Sequence, residues 1–253
     1  MAQPPIVHAV FDSNLIGIRL SGPDLPSALS ELSERVERGQ GGYACFVNVH
    51  TLTESTTNES LRAALEHATF CFPDGMPLVW LMRLKGSSIG GRISGPDFTR
   101  EFATAQRARS QGLVGGAPGR AEELASALGI TACVYSPPMR DFSVENALED
   151  WKAFLQHCPG GKAPSIVWVG LGAPKQEVWM QAVSRHAPET FFFGVGAAFD
   201  FLAGHVRRAP AWMRNNGLEW VHRLSQDPRR LWKRYLRTNA KFALLALREL
   251  TRQ

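Results

Sequence analysis

From Tyr43 onward, short runs rich in Val, Ile and Phe alternate with longer stretches whose apolar residues recur at helical spacing. The runs predict strands over 43–49, 68–72, 112–116, 132–136, 165–171 and 191–196. Between and around them, helical patterns occupy 26–39, 59–68, 96–110, 120–129, 144–158 and 175–186, the second opened by a capping box of Thr56 and Glu59. Strands alternating with amphipathic helices point to an α/β fold, Rossmann-like, around a mostly parallel sheet. The pattern stops near Gly204. Beyond it there is no strand signal, only helical stretches carrying three Trp and many Arg. The division expected is therefore an α/β body over 1–206 and a helical, basic C-terminal appendage over 207–253. A second strand–helix series begins near residue 111, so the body is open to a two-lobe reading there.

Charge sharpens that division. The chain of 253 residues carries a net +5, yet residues 207–253 hold twelve Lys/Arg against three Asp/Glu, which leaves the remainder acidic. A basic segment of this kind expects an anionic partner: phosphate, nucleic acid or an acidic membrane surface. The four cysteines are scattered without a CxxC pair or a His at metal-ligand spacing, which argues against a disulfide framework or a zinc site and suits a reducing cytosol. No apolar run approaches membrane-spanning length and the N-terminus has no basic start, so neither a transmembrane helix nor a signal peptide is expected.

Three strand ends run into glycine-rich turns ahead of helices: LVGGAPGRAEEL from 113, WVGLGAPKQEVW from 168 and GVGAAFDFLAG from 194. Such turns at the carboxyl ends of parallel strands suit a nucleotide or phosphorylated ligand. A dinucleotide fingerprint is not among them, since Gly115-Gly116-Ala117-Pro118-Gly119 breaks the GxGxxG spacing and the next strand ends at Tyr135-Ser136 without an acid. A Walker A loop is also missing. In GAPKQE, Lys175, Gln176 and Glu177 open a helix, and a neutral Gln there suits sugar or pyrophosphate oxygens better than the helix dipole. The stretch CFPDGMPLVW sets one carboxylate, Asp74, among apolar residues in a Pro-Asp-Gly turn. In the appendage, RRAPAW and EWVHRLSQDPRR interleave Arg with Trp and Pro, which a merely solvated basic face does not need.

The phrases FVNVHTLTES, FCFPDGMPLVW, RISGPDF, VGLGAPKQEVWM, GVGAAFDFLAG, RRAPAWMRNNGLEWVHRL and DPRRLWKRY, in this order from about Tyr43 to Tyr235, resemble the blocks of the WecG/TagA/CpsF glycosyltransferases. The resemblance implies an inverting, metal-independent transfer from a UDP-sugar to a sugar on an undecaprenyl diphosphate carrier. The setting would be surface or exopolysaccharide synthesis by a cytoplasmic enzyme peripheral to the inner face of the bacterial plasma membrane. It assigns the general base to Asp74 and functional roles to Asn48, Arg92, Gln176, Arg223 and Arg230. One departure stands out: many members carry a Thr two residues before that Asn, and here the position is Phe46.

The residue chemistry agrees with such a transfer. Inversion needs one base beside the acceptor hydroxyl, and the charge that develops on the leaving UDP needs cations. The chain has no DxD motif, so Arg92 and appendage arginines, Arg208 among them, are the expected substitutes for a metal, and no cofactor is implied. The turns at Gly115 and Gly172 would cradle diphosphate or sugar, with Asp200 or Tyr135 on the uridine. The appendage would close the site and lie on an anionic membrane. Two rivals are a nucleotide-sugar epimerase or dehydrogenase, which would hold nicotinamide, and a nucleic-acid module using the basic tail. The second leaves Asp74 and GAPKQE without a role, so no nucleic-acid partner is expected. A homo-oligomer is left open, and the sugar (N-acetylmannosamine, its uronate, or a hexose such as glucose) is not fixed.

Overall fold

The computed structural model describes residues 13–251, with the side chain of Arg230 outside the description. All six predicted strands form and join one sheet. In chain order they are β3 (Gly42–Val47), β4 (Phe70–Pro73), β5 (Gln111–Gly115), β6 (Ala132–Tyr135), β7 (Ile166–Gly170) and β8 (Phe191–Gly194), after a small antiparallel hairpin of β1 (Ser13–Leu15) and β2 (Ile18–Leu20). The sheet runs β4-β3-β8-β7-β5-β6 and every pairing in it is parallel. Residue 111 thus opens the second half of one continuous sheet. The last strand, β8, returns to pair with both β3 and β7 and ties the halves together.

Parallel strands are covered on both faces, and the side chains divide accordingly. Tyr43, Cys45, Val47 and Phe192 face one apolar layer, where they meet Leu52, Leu61, Leu78, Trp151 and Trp179. Those partners come from α2 (Val49–Glu54), α3 (Glu59–Glu66), α4 (Met76–Leu84), α7 (Val144–Gln156) and α8 (Lys175–Ser184). Ala44, Phe46, Phe191 and Phe193 face the other layer, made by Leu32, Phe98, Leu124 and Phe199. These belong to α1 (Leu25–Glu37), α5 (Gly95–Ala105), α6 (Arg120–Leu128) and α9 (Ala198–Leu202). The expected Thr56 box does not form. Asn58 caps α3 by accepting from Leu61 N at 3.0 Å, while Thr56 Oγ1 donates back to Thr53 O, because Asn58 is the residue with extended backbone angles at that helix start.

The C-terminal segment carries three helices and no strand over its described length: α10 (Ala211–Asn215), α11 (Glu219–Gln226) and the long α12 (Pro228–Thr251). α12 packs along α2, and Phe242 and Ala246 press against the first apolar layer. Near its end Glu249 accepts from Lys85 Nζ at 2.6 Å and from the Ile16 amide at 3.4 Å. Gly217, with φ +67°, brings the turn before α11 against α4: a Cβ there would come within 2.9 Å of the Trp80 ring.

Candidate active site

In an open parallel sheet, ligands bind beyond the carboxyl ends of the strands where the connections leave toward opposite faces. Here that point lies between β3, which continues into α2 on one face, and β8, which continues into α9 on the other. A cavity of about 530 Å³ opens there. Its floor is built from the carboxyl ends of four neighbouring strands and the turns that leave them: Asp74 at β4, Asn48 at β3, Gly194 to Ala198 at β8, and Gly172 and Ala173 at β7. Its roof is the C-terminal segment, through Arg214, Glu219, Trp220, Arg223, Arg234 and Tyr235.

Asp74 leaves β4 with its amide donating to Val47 O at 2.8 Å, which continues the ladder with β3 and sets the side chain at the cleft floor. The Gly95 amide donates to its Oδ2 at 3.3 Å. Burial pushes its carboxyl up to about 6; Arg92 opposes the shift, Glu219 adds to it, and Gly95 and Arg208 pull it down. Asp74 is therefore a carboxylate near neutrality that still holds its proton more tightly than a free acid.

The arginines of the site are held in an ordered arrangement. Arg92 Nη1 donates to Glu219 Oε2 at 2.8 Å, joining the body to the first turn of α11. Arg208 forms a two-pronged pair with Asp97, through Nη1 to Oδ1 and through Nη2 to Oδ2 at 2.7 Å. Its Nη2 also donates to Ser94 Oγ at 2.9 Å, and Arg214 Nη1 reaches Asp97 Oδ2 at 3.4 Å. Burial alone would raise Asp97, but the hydrogen bonds from Arg208 and Ser94 outweigh it and hold the carboxyl well below its usual range. Arg223 lies over the Phe201 ring at 5.2 Å and Arg234 over the Tyr235 ring at 5.4 Å.

The residues singled out from the sequence separate clearly. Asn48, Asp74, Arg92, Gly172, Gln176 and Arg223 all line the cavity. Asn48 also caps α2, its Oδ1 accepting from Thr51 N at 3.0 Å, which leaves its amide N–H groups to the cleft. Gln176 is buried, and both hydrogens of its amide are committed, to Glu177 Oε1 at 2.9 Å and to Gly194 O at 3.0 Å. A Cβ on Gly194, the last residue of β8, would displace the end of the Met180 side chain and come within 3.3 Å of this amide. Glu177 is no exposed dipole complement: it is buried, and burial pushes its carboxyl up to about 7.

Gly115, Tyr135, Asp200 and Arg208 do not line the cavity. Gly115 and Tyr135 end β5 and β6, the two strands farthest from β4. Gly115 is explained by packing, since a Cβ would sit 2.7 Å from Gly170 C. Tyr135 reaches Asp150 at 3.5 Å, and Asp200 pairs with Arg120 at 3.3 Å. Arg208 acts from behind, through Asp97. Arg230 lies outside the described side chains. Sequence reasoning passed over Asp97, Arg214, Glu219 and Arg234, although all four lie inside the blocks RISGPDF, RRAPAWMRNNGLEWVHRL and DPRRLWKRY. A buried Phe46 at the cleft, 5.7 Å from Phe72 and 5.3 Å from Phe98, makes an apolar wall where a Thr would present a hydroxyl.

Comparison with known protein families agrees with this geometry: the description Glycosyl transferase WecG/TagA/CpsF family matches residues 13–253, which spans the sheet, the cleft and the C-terminal helices. The chain belongs to the WecG/TagA/CpsF family of glycosyltransferases.

Proposed function

We propose that the protein transfers a sugar, with inversion, from a UDP-sugar to a sugar carried on a polyprenyl diphosphate, as a step in surface polysaccharide synthesis. The observation that carries this reading is Asp74: the other cleft carboxylate, Glu219, is paired with Arg92, whereas Asp74, its carboxyl pushed up to about 6 by burial, faces a cleft walled by Arg92, Arg214 and Arg223. Asp74 takes the proton of the acceptor hydroxyl as that oxygen forms its bond to the anomeric carbon. The bond to the diphosphate breaks on the opposite face, and the charge left on UDP meets the arginines. Asn48 supplies N–H donors beside the base. Gln176, locked through Glu177 and Gly194, holds the turn after β8 that forms the adjoining wall.

The dehydrogenase reading loses support, because the Gly115–Gly116 turn packs on Gly170 and Phe199 instead of facing the cleft. Membrane contact is supported by α12. One face carries the cleft residues Arg234, Tyr235, Thr238 and Phe242, while the opposite face exposes Trp232, Leu236, Leu244 and Leu247 beside several Lys and Arg. No helix of the described residues is long and apolar enough to cross a membrane. The test is UDP release from a panel of UDP-sugars with a short-chain lipid-diphosphate-sugar acceptor, comparing wild type with Asp74→Asn. A loss of about 10²-fold or more in the variant is expected of a general base; undiminished turnover would remove Asp74 from that role.

A further inference from the structure

The arginines that line the cleft are not equivalent, and their partners sort them. Arg92 is neutralised by Glu219, and Arg214 shares Asp97 with Arg208. Arg223 and Arg234 have no carboxylate within ion-pairing distance among the described residues, and each rests on an aromatic face. A guanidinium held by a ring keeps its in-plane N–H groups free for a bidentate anion, whereas one already matched to a carboxylate must first give it up. The unengaged positive charge of the cleft therefore sits at these two residues.

They differ in position. Arg223 is on α11, facing Phe201 beside the turn after β8. Arg234 is on α12, exposed at the cleft mouth, and shares its helix with the outward apolar residues Trp232 and Leu236, its neighbours two positions to either side. Among the described residues that line the cleft, Arg234 is the basic one carried by the helix suited to the bilayer surface. A lipid carrier's diphosphate lies at that surface, since its isoprenoid chain stays in the hydrocarbon, and the diphosphate of a soluble nucleotide sugar has no such constraint.

We infer that Arg234, oriented by the face of Tyr235, binds the diphosphate of the lipid-linked acceptor, leaving the diphosphate of the nucleotide donor to the arginines deeper in the cleft. This rests on the transfer reading above. It assigns the two chemically similar diphosphates to different cations, and it makes Arg234 a determinant of acceptor choice with no part in the bond-making step. Tyr235 is then a positioning residue whose ring, not its hydroxyl, does the orienting.

The experiment uses the full chain with two acceptors that bear the same sugar, one on a short-chain isoprenyl diphosphate and one on a neutral alkyl chain. Its variants are Arg234→Gln, Arg234→Lys, Tyr235→Phe and Tyr235→Leu. For Arg234→Gln, kcat/KM on the diphosphate acceptor should fall about tenfold or more, as expected for loss of a charge-assisted contact, with the change in KM. On the neutral acceptor the variant should match wild type, and UDP affinity by calorimetry should not change. Arg234→Lys should recover part of the loss, Tyr235→Phe nearly all of the wild-type rate, and Tyr235→Leu should resemble Arg234→Gln. An equal loss on both acceptors, or a tenfold weakening of UDP binding, would overturn the assignment. Wild-type enzyme that transfers to neither acceptor would instead overturn the transfer reading itself.

Discussion

The raised affinity of Asp74 for its proton gives a sharp kinetic expectation. With Asp74 as the base, kcat/KM follows the ionisation of the free enzyme and so reads the carboxyl in the unliganded cleft. A group at about 6 is roughly one-tenth ionised at pH 5 and roughly nine-tenths at pH 7. The rate should therefore fall about tenfold between those values, where a carboxyl at its ordinary value of 3.8 would change hardly at all. The diphosphate of a UDP-sugar is ionised throughout that range, so the limb belongs to the protein. Glu219→Gln tests the cause. Its charge adds to the shift and also occupies Arg92, whose charge opposes it, so removing the carboxylate should move the limb to lower pH on both counts. Initial rates of UDP release at subsaturating donor, from pH 4.5 to 8.5 at fixed ionic strength, give both profiles. A wild-type limb near pH 4, or one that stays put in Glu219→Gln, would falsify the electrostatic account of the base.

Three further outcomes are expected of the same structure. Arginines in place of a metal predict that EDTA leaves turnover unchanged; complete loss restored by a divalent cation would reverse that part of the mechanism. Replacing Leu236, Leu244 and Leu247 together by Ser should release the protein from anionic vesicles in a flotation assay while leaving UDP affinity intact, since these side chains face away from the cleft; undiminished flotation would assign the contact elsewhere. Glu177, shifted from 4.5 to about 7 in the folded protein, binds its proton more tightly folded than unfolded. Its contribution is full below about pH 4.5 and is lost as pH rises through 7, on the order of 3 kcal/mol at most. Glu177→Gln should remove that part of the fall in urea stability between pH 5 and pH 8, and an identical fall in both proteins would show that another group titrates.

Most strands were legible because they are apolar runs rich in branched or aromatic residues, which a buried parallel strand needs on both faces, while β5 rests on Leu113 and Val114 among glycines. The hairpin of β1 and β2 was not, since SNLIGIRL offers only three residues per strand around an Ile16–Gly17 turn and stands on its apolar contacts with the body. Strand order was the larger omission. Gly115 and Tyr135 carry the same local signal as Gly172, a strand end before a turn and a helix, and nothing in that signal says that β5 and β6 lie at the far side of the sheet. Asp200 lies outside the cavity lining for a different reason: its partner Arg120 is eighty residues away in sequence and next to it in space.

The acids that sequence reading passed over explain why the cleft has so many arginines without scattering them. Five guanidinium groups near one another repel, and each long side chain loses rotamer freedom when it is fixed. Asp97 gathers Arg208 and Arg214 and lies 3.9 Å from Arg92, Glu219 fixes Arg92, and two rings hold Arg223 and Arg234. Both acids stand in the first turn of a helix, the place where an acid is most easily read as a complement to the helix dipole. Arg223, Arg234 and Glu219 all lie on the C-terminal helices, and Asp97 binds arginines that come from the same segment. The roof of the cleft is therefore ion-paired to its floor before any ligand arrives. Loss of Asp97 should then act on Arg208 and Arg214 together: Asp97→Asn should weaken UDP binding about as much as the double change Arg208→Gln with Arg214→Gln, and adding it to that double variant should cost little more. Independent, additive losses measured by calorimetry would show that the two arginines hold their positions without Asp97.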